Sequence, residues 1–131
     1  VAGDHEGVPF VQARGYTRGR SLGQPIWVVI HDMEASELPN RAETTAAYFA
    51  NPSDGRSVSS HYCADNDSVV QCVLLRDTAW TVGNIGNQLG INWELAGFAS
   101  QSAGQWLDAF GTAMFAVAVP IMARDMRTYG I

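Results

Sequence analysis

The sequence predicts a single domain of α/β or α+β class, with helices packed on a small sheet that contains a hairpin. Three observations carry this expectation. Residues 26–30 form a five-residue apolar run, and two short apolar segments flank Asp65-Asn66-Asp67-Ser68. Near the carboxyl end, Trp106, Phe110, Met114, Val117 and Ile121 recur at steps of three and four, the spacing of one helix face. At 131 residues the chain is long enough for one core and short for two.

Taken in order, residues 1–25 are rich in Gly, Arg and Pro and read as an extended N-terminal arm, with the remaining domain at 26–131. Residues 26–32 are a strand whose nearly continuous apolar character places it at the centre of the sheet, covered on both faces. Residues 41–50 read as a helix, with Asn40 as N-cap and Glu43 at the capping-box position. Residues 58–64 and 69–75 are two strands, joined by the turn residues between them. On the first of these, Ser59, His61 and Cys63 share one face. The Gly- and Asn-rich residues 83–90 form a loop before a fourth strand at 91–96. The last helix begins at about residue 102 or 103 and runs to 129, where Pro120 should kink or split it.

Composition excludes several functions. A net charge of -5 gives no basic footprint for nucleic acid or for an anionic membrane. The longest apolar segment, residues 113–123, is interrupted by Pro120 and falls short of the roughly 20 residues of a membrane span. Val1-Ala2-Gly3-Asp4 lacks the basic start and apolar stretch of a signal peptide, and a first residue other than Met suggests an excised domain. Two cysteines, Cys63 and Cys72, are too few for a disulfide scaffold; a buried pair of thiols is the default, a disulfide the alternative, and zinc ligation a weaker one because no CxxC spacing exists.

His31 closes the first apolar run, where a strand delivers an imidazole to the mouth of a sheet as a metal ligand or base. Glu94 lies between Trp93 and Leu95 with no basic residue near it in sequence, and carboxylates are rarely buried unless paired. Facing one crevice with His31, it would exchange a proton beside a metal-activated water; the plainer alternative is an ion pair with Arg14, Arg18 or Arg20. His61 as a neutral ring would orient a neighbouring ligand, and His5 in the arm would be solvated.

Five segments, taken together, resemble one family in order and spacing. They are Val28-Val29-Ile30-His31, Ser59-Ser60-His61-Tyr62-Cys63, Asp65 to Cys72, Ala79-Trp80-Thr81-Val82-Gly83-Asn84 and Gly90 to Gly97. The chain resembles the zinc-dependent N-acetylmuramoyl-L-alanine amidases of type 2, kin to peptidoglycan recognition proteins. In flavour it resembles the amidase domains of bacteriophage endolysins, particularly those of phages infecting actinobacteria. The resemblance implies an α/β domain, a mixed central sheet flanked by helices, with a peptidoglycan groove on one face. It implies hydrolysis of the amide between N-acetylmuramic acid and the L-alanine of the stem peptide. His31 matches the first zinc ligand and Glu94 the catalytic glutamate, with His61, Trp80, Thr81 and Asn84 as substrate contacts. The alternative is a peptidoglycan-binding module of the same fold without metal chemistry.

Two departures from the family pattern stand out. Thr81 occupies a position where many relatives have histidine, and the chain ends at Ile131 before the segment that carries the remaining zinc ligands in relatives. The expectation is a domain truncated at its carboxyl end, with weak or absent zinc and self-association through the surface left open. With no signal peptide in view, the family reading implies synthesis in a host cytoplasm and action on the wall after the membrane is permeabilised.

Overall fold

The computed structural model describes residues 2–131. Its main sheet comprises β2 (Trp27–Asp32), β3 (Tyr62–Ala64), β4 (Val69–Gln71) and β6 (Gly90–Leu95), in the order β2-β6-β3-β4. β2, β6 and β3 run parallel, and β4 returns antiparallel to β3 through the hairpin, so the sheet is mixed. A second, two-stranded sheet pairs β1 (Tyr16–Thr17) with β5 (Thr78–Ala79). Four helices complete the domain: α1 (Arg41–Ala50), α2 (Asn84–Leu89), α3 (Ala103–Trp106) and α4 (Ala109–Tyr129).

The period-2 alternation of strands divides the core into two clusters. On one face, Cys63, Val70 and Cys72 meet Ala42, Ala46 and Phe49 of α1. On the other, Tyr62, Ile91, Trp93 and Leu95 meet Met114 and Ala118 of α4. The Tyr62 and Trp93 rings stack there with centroids 4.3 Å apart, and each is fully buried. Burial of a large apolar side chain of this kind contributes about 1.5–3 kcal/mol.

β2 is an edge strand, which corrects its expected central place. Ile30 and Trp27 are 51% and 43% exposed, because β6 covers one side of β2 only and the crossover leaves its other side open. The opposite edge is covered. Residues 9–13 run beside β4, with Val11 and Ala13 N–H donating to the Gln71 and Cys72 carbonyls at 2.9 and 2.8 Å. His5, expected to be solvated, is buried instead, with Nε2 2.6 Å from Oδ1 of Asp125 on α4.

Local chemistry accounts for the helix ends. Asn40 makes no side-chain cap; the Ala42 N–H donates to Oδ2 of Asp65 at 2.8 Å, so the hairpin turn caps α1. Residues 84–89, expected as loop, form α2, and Oδ1 of Asn87 gathers the N–H groups of Thr81, Val82 and Gly83 just before it. The carboxyl-terminal helix breaks at Leu107-Asp108 and not at Pro120. Ser102 and Gln105 form a capping box on α3, and Asp108 caps α4 through the Gly111 N–H at 2.9 Å. α4 continues through Pro120, which costs the bond to the Ala116 carbonyl. By length and composition α4 also meets the requirement for a membrane span; here it packs on the sheet through Met114 and Ala118.

Candidate active site

The parallel strands β2, β3 and β6 all finish at one edge of the sheet, the side on which open α/β sheets bind ligands. His31 stands directly opposite Glu94 in the β2–β6 register, and Glu94 stands opposite Cys63 in the β6–β3 register. Paired residues point to the same face, so imidazole, carboxyl and thiol form one row across the sheet. Two residues earlier, Val29 and Asn92 pair in the same way, followed by His61 one step before the Tyr62–Trp93 pair.

Glu94 lines a cavity of about 330 Å³ between the strand ends and α1, together with Asp32, Met33, Arg41, Thr44 and Tyr48. Its Oε2 is buried without a hydrogen-bond partner, and among the described residues it has no ion pair. Burial, with a smaller contribution from the Asp32 charge, pushes its carboxyl up to about 8. His31 lines an adjoining concavity of about 390 Å³ with Ile30, Leu95, Trp106 and Phe115, and Asp32 borders both spaces. The ring Nε2 of His31 lies 3.3 Å from Oδ1 of Asn92.

Arg20, one alternative partner for Glu94, is engaged elsewhere. Its guanidinium donates to the carbonyls of Leu75 (2.7 Å), Gln88 (2.9 Å) and Gly90 (3.2 Å), and lies against Nε2 of His61 at 2.9 Å. His61, expected as a substrate contact, is fully buried, with no surface of the ring exposed. Burial, and then the Arg20 charge, push its pKa down to about 3, so the ring is neutral.

The other expected contacts lie away from Glu94, and none lines its cavity. Trp80 is exposed and donates Nε1–H to Oγ1 of Thr17 at 2.8 Å. The hydroxyl of Thr81 donates to the Ser59 carbonyl at 2.6 Å, so the fold already uses it. Asn84 sits exposed at the start of α2, its Oδ1 accepting the Gly86 N–H at 3.0 Å. Sequence reasoning passed over Asn92. Its signal was parity, because it lies two residues before Glu94 in the same strand and must share its face.

A catalytic zinc centre needs about three protein ligands. Among the described residues no three His, Cys, Asp or Glu side chains gather to hold a metal ion. His31 has Asn92, not a second ionisable donor, at its ring nitrogen. The residues present therefore do not fit the zinc that the resemblance implies.

Residues 21–131 match the family model described as N-acetylmuramoyl-L-alanine amidase. Among solved structures, the chain is similar to a mutant endolysin from Bacillus subtilis, with 20% identity and a TM-score of 0.67 over 98% of this chain and 75% of that one. It is similar to PlyL, with 18% identity and a TM-score of 0.68 over 95% and 75% of the two chains. It is also similar to the Staphylococcus aureus hydrolase AmiA, solved in complex with its ligand, with 16% identity and a TM-score of 0.71 over 100% and 59%. At these identities the likeness shows the fold, a single α/β domain with a mixed central sheet flanked by helices. Comparison with curated proteins gives no match. With 111 of its 131 residues under the family model, the chain belongs to the N-acetylmuramoyl-L-alanine amidase family.

Proposed function

We propose that this domain hydrolyses the amide between N-acetylmuramic acid and the L-alanine of the peptidoglycan stem peptide, with Glu94 as the proton-transferring group. The observation that carries the reading is the unpaired carboxyl of Glu94, at a cavity mouth and in register with His31. Amide hydrolysis needs a proton removed from the attacking water and one delivered to the leaving amine. A carboxyl held up to about 8 takes the first in its ionised form and gives the second in its neutral form, within one physiological range. His31 stands opposite Glu94 on the neighbouring strand and lines the adjoining concavity, and the exposed Trp80 and Asn84 supply outlying substrate contacts. The finer reading is a lytic domain of an endolysin from a phage of actinobacteria, made in the host cytoplasm and acting on the wall once the membrane is breached. The family membership and the likeness to an endolysin support the lytic-domain part of this reading.

The test is digestion of purified peptidoglycan by the protein and by Glu94→Gln, with released peptides and wall-bound protein both measured. Loss of an acid–base group lowers turnover by about 10²–10⁴-fold, with wall binding retained. No release by the wild type, or equal release by both proteins, overturns the proposal. A second reading, a wall-binding module without hydrolysis, is favoured by the lack, among the described residues, of three side chains gathered to hold a metal ion. It predicts that both proteins sediment with the wall and neither releases peptide.

A further inference from the structure

We propose that Asn92 is a positioning residue that fixes the tautomer of His31, so that Nδ1 carries the ring's available lone pair. This rests on the reading of His31 as part of the active site. The side-chain amide of Asn92 has only one orientation open to it. One end lies 3.3 Å from the carbonyl oxygens of Gly86 and Gly90, which only accept, so that end is the NH₂ group. The other end is Oδ1, and it faces Nε2 of His31 at 3.3 Å. An amide oxygen also only accepts, so Nε2 must carry the hydrogen. The neutral ring then has Nδ1 unprotonated, and Nδ1 makes no hydrogen bond among the described residues.

Asn92 is held in this pose from every side. It is fully buried, so no solvent competes for its amide. Its backbone N–H donates to Nδ1 of His61 at 3.0 Å, and its carbonyl accepts the His61 N–H at 2.9 Å. With Nδ1 of His61 accepting, Nε2 of that ring carries the hydrogen and donates to the Asp77 carbonyl at 3.1 Å. The Arg20 guanidinium lies 2.9 Å from the same nitrogen without a hydrogen bond, since both groups are donors, and is held there by its own bonds to the Leu75, Gln88 and Gly90 carbonyls. Gly90 lets α2 close on the strand: a Cβ there would stand 2.5 Å from the Gly86 carbonyl oxygen and 3.1 Å from Nδ2 of Asn92. Arg20, His61 and Gly90 thus brace Asn92, and Asn92 sets His31.

Two-bond ¹H–¹⁵N correlation spectra of ¹⁵N-imidazole protein, taken where the ring is neutral, read the tautomer directly. Wild-type His31 is expected to show a protonated, pyrrole-like Nε2 and a pyridine-like Nδ1. Asn92→Leu should yield a mixture of tautomers at His31 while His61 keeps its own pattern. Asn92→Asp, which retains an acceptor, should restore the wild-type pattern at His31. A wild-type ring protonated at Nδ1, or present as a mixture, overturns the proposal whether or not either variant folds. So does an unchanged His31 spectrum in folded Asn92→Leu. The measurement uses no substrate, so the expected spectrum in a protein that releases no stem peptide would sustain the tautomer assignment and overturn the functional reading instead.

Discussion

His31 and Glu94 stand opposite one another on adjacent parallel strands, and neither is engaged in an ion pair among the described residues. Glu94 therefore carries a burial cost that no cation offsets. Burial pushes this carboxyl up to about 8, whereas an exposed glutamate ionises near 4.5. A folded pKa above the unfolded one means that the native state binds more protons between these two values, so stability falls as pH rises through that window. Glu94→Gln removes the slope. Urea midpoints of the two proteins should diverge steadily from about pH 4.5 to about pH 8, with the Gln variant gaining at the upper end. A constant difference across that range would contradict the burial of the charge.

Arg20 satisfies three backbone carbonyls and covers His61, so its loss should be felt well beyond the arm that carries it. Arg20→Met is expected to cost about 1–3 kcal/mol, because carbonyls are left without donors. Arg20→Lys should recover little of this, since an ammonium lacks the planar fork that reaches several acceptors at once. Equilibrium urea unfolding measures both; full recovery by lysine would contradict the geometry.

The corner between α3 and α4 has room for no side chain at Gly111, where a Cβ would stand 1.8 Å from the Trp106 carbonyl oxygen. Gly111→Ala should destabilise by at least about 1–3 kcal/mol, the usual range for overpacking. Gly104→Ala in α3 is the control. Its Cβ would meet nothing nearer than 3.9 Å, so it should be neutral or stabilise by about 0.5–1 kcal/mol. Thermal unfolding of the pair distinguishes the two environments, and equal midpoints would count against the corner as described.

Cys63 and Cys72 are free thiols 3.8 Å apart, and both are fully buried. Burial, and then the hydrogen bond with Cys72, push the Cys63 thiol up, which suppresses the reactive thiolate. A maleimide should label neither cysteine in the native protein and both in urea. Prompt native labelling of Cys63 would contradict its place beneath α1.

The sequence made β2, β6, the β3–β4 hairpin and α1 legible because each leaves a local mark: an apolar run, turn residues, or helical spacing around Ala46 and Phe49, whereas the two-residue strands β1 and β5 leave none. It also exposed His31 and Glu94, as ionisable groups inside apolar strands. What it could not show were relations across long separations. The run at residues 26–30 has the composition of a buried strand, yet sheet order leaves β2 at an edge. His5 lies in a polar arm, and its burial depends on Asp125, 120 residues away. His61 has the same parity as Cys63, which places it on the site's face, but Arg20 and Asp77 seal it from solvent. Helix breaks follow the same rule. Pro120 is the visible breaker, but the turn forms at Asp108, where a cap and a close backbone contact at Gly111 act together.

The most direct measurement is the chemical identity of the bond cut in purified peptidoglycan. The account predicts new amino termini of L-alanine, detected by end-group labelling and mass spectrometry, with no increase in reducing sugar ends. New reducing ends, or no new alanine amino groups, would contradict it.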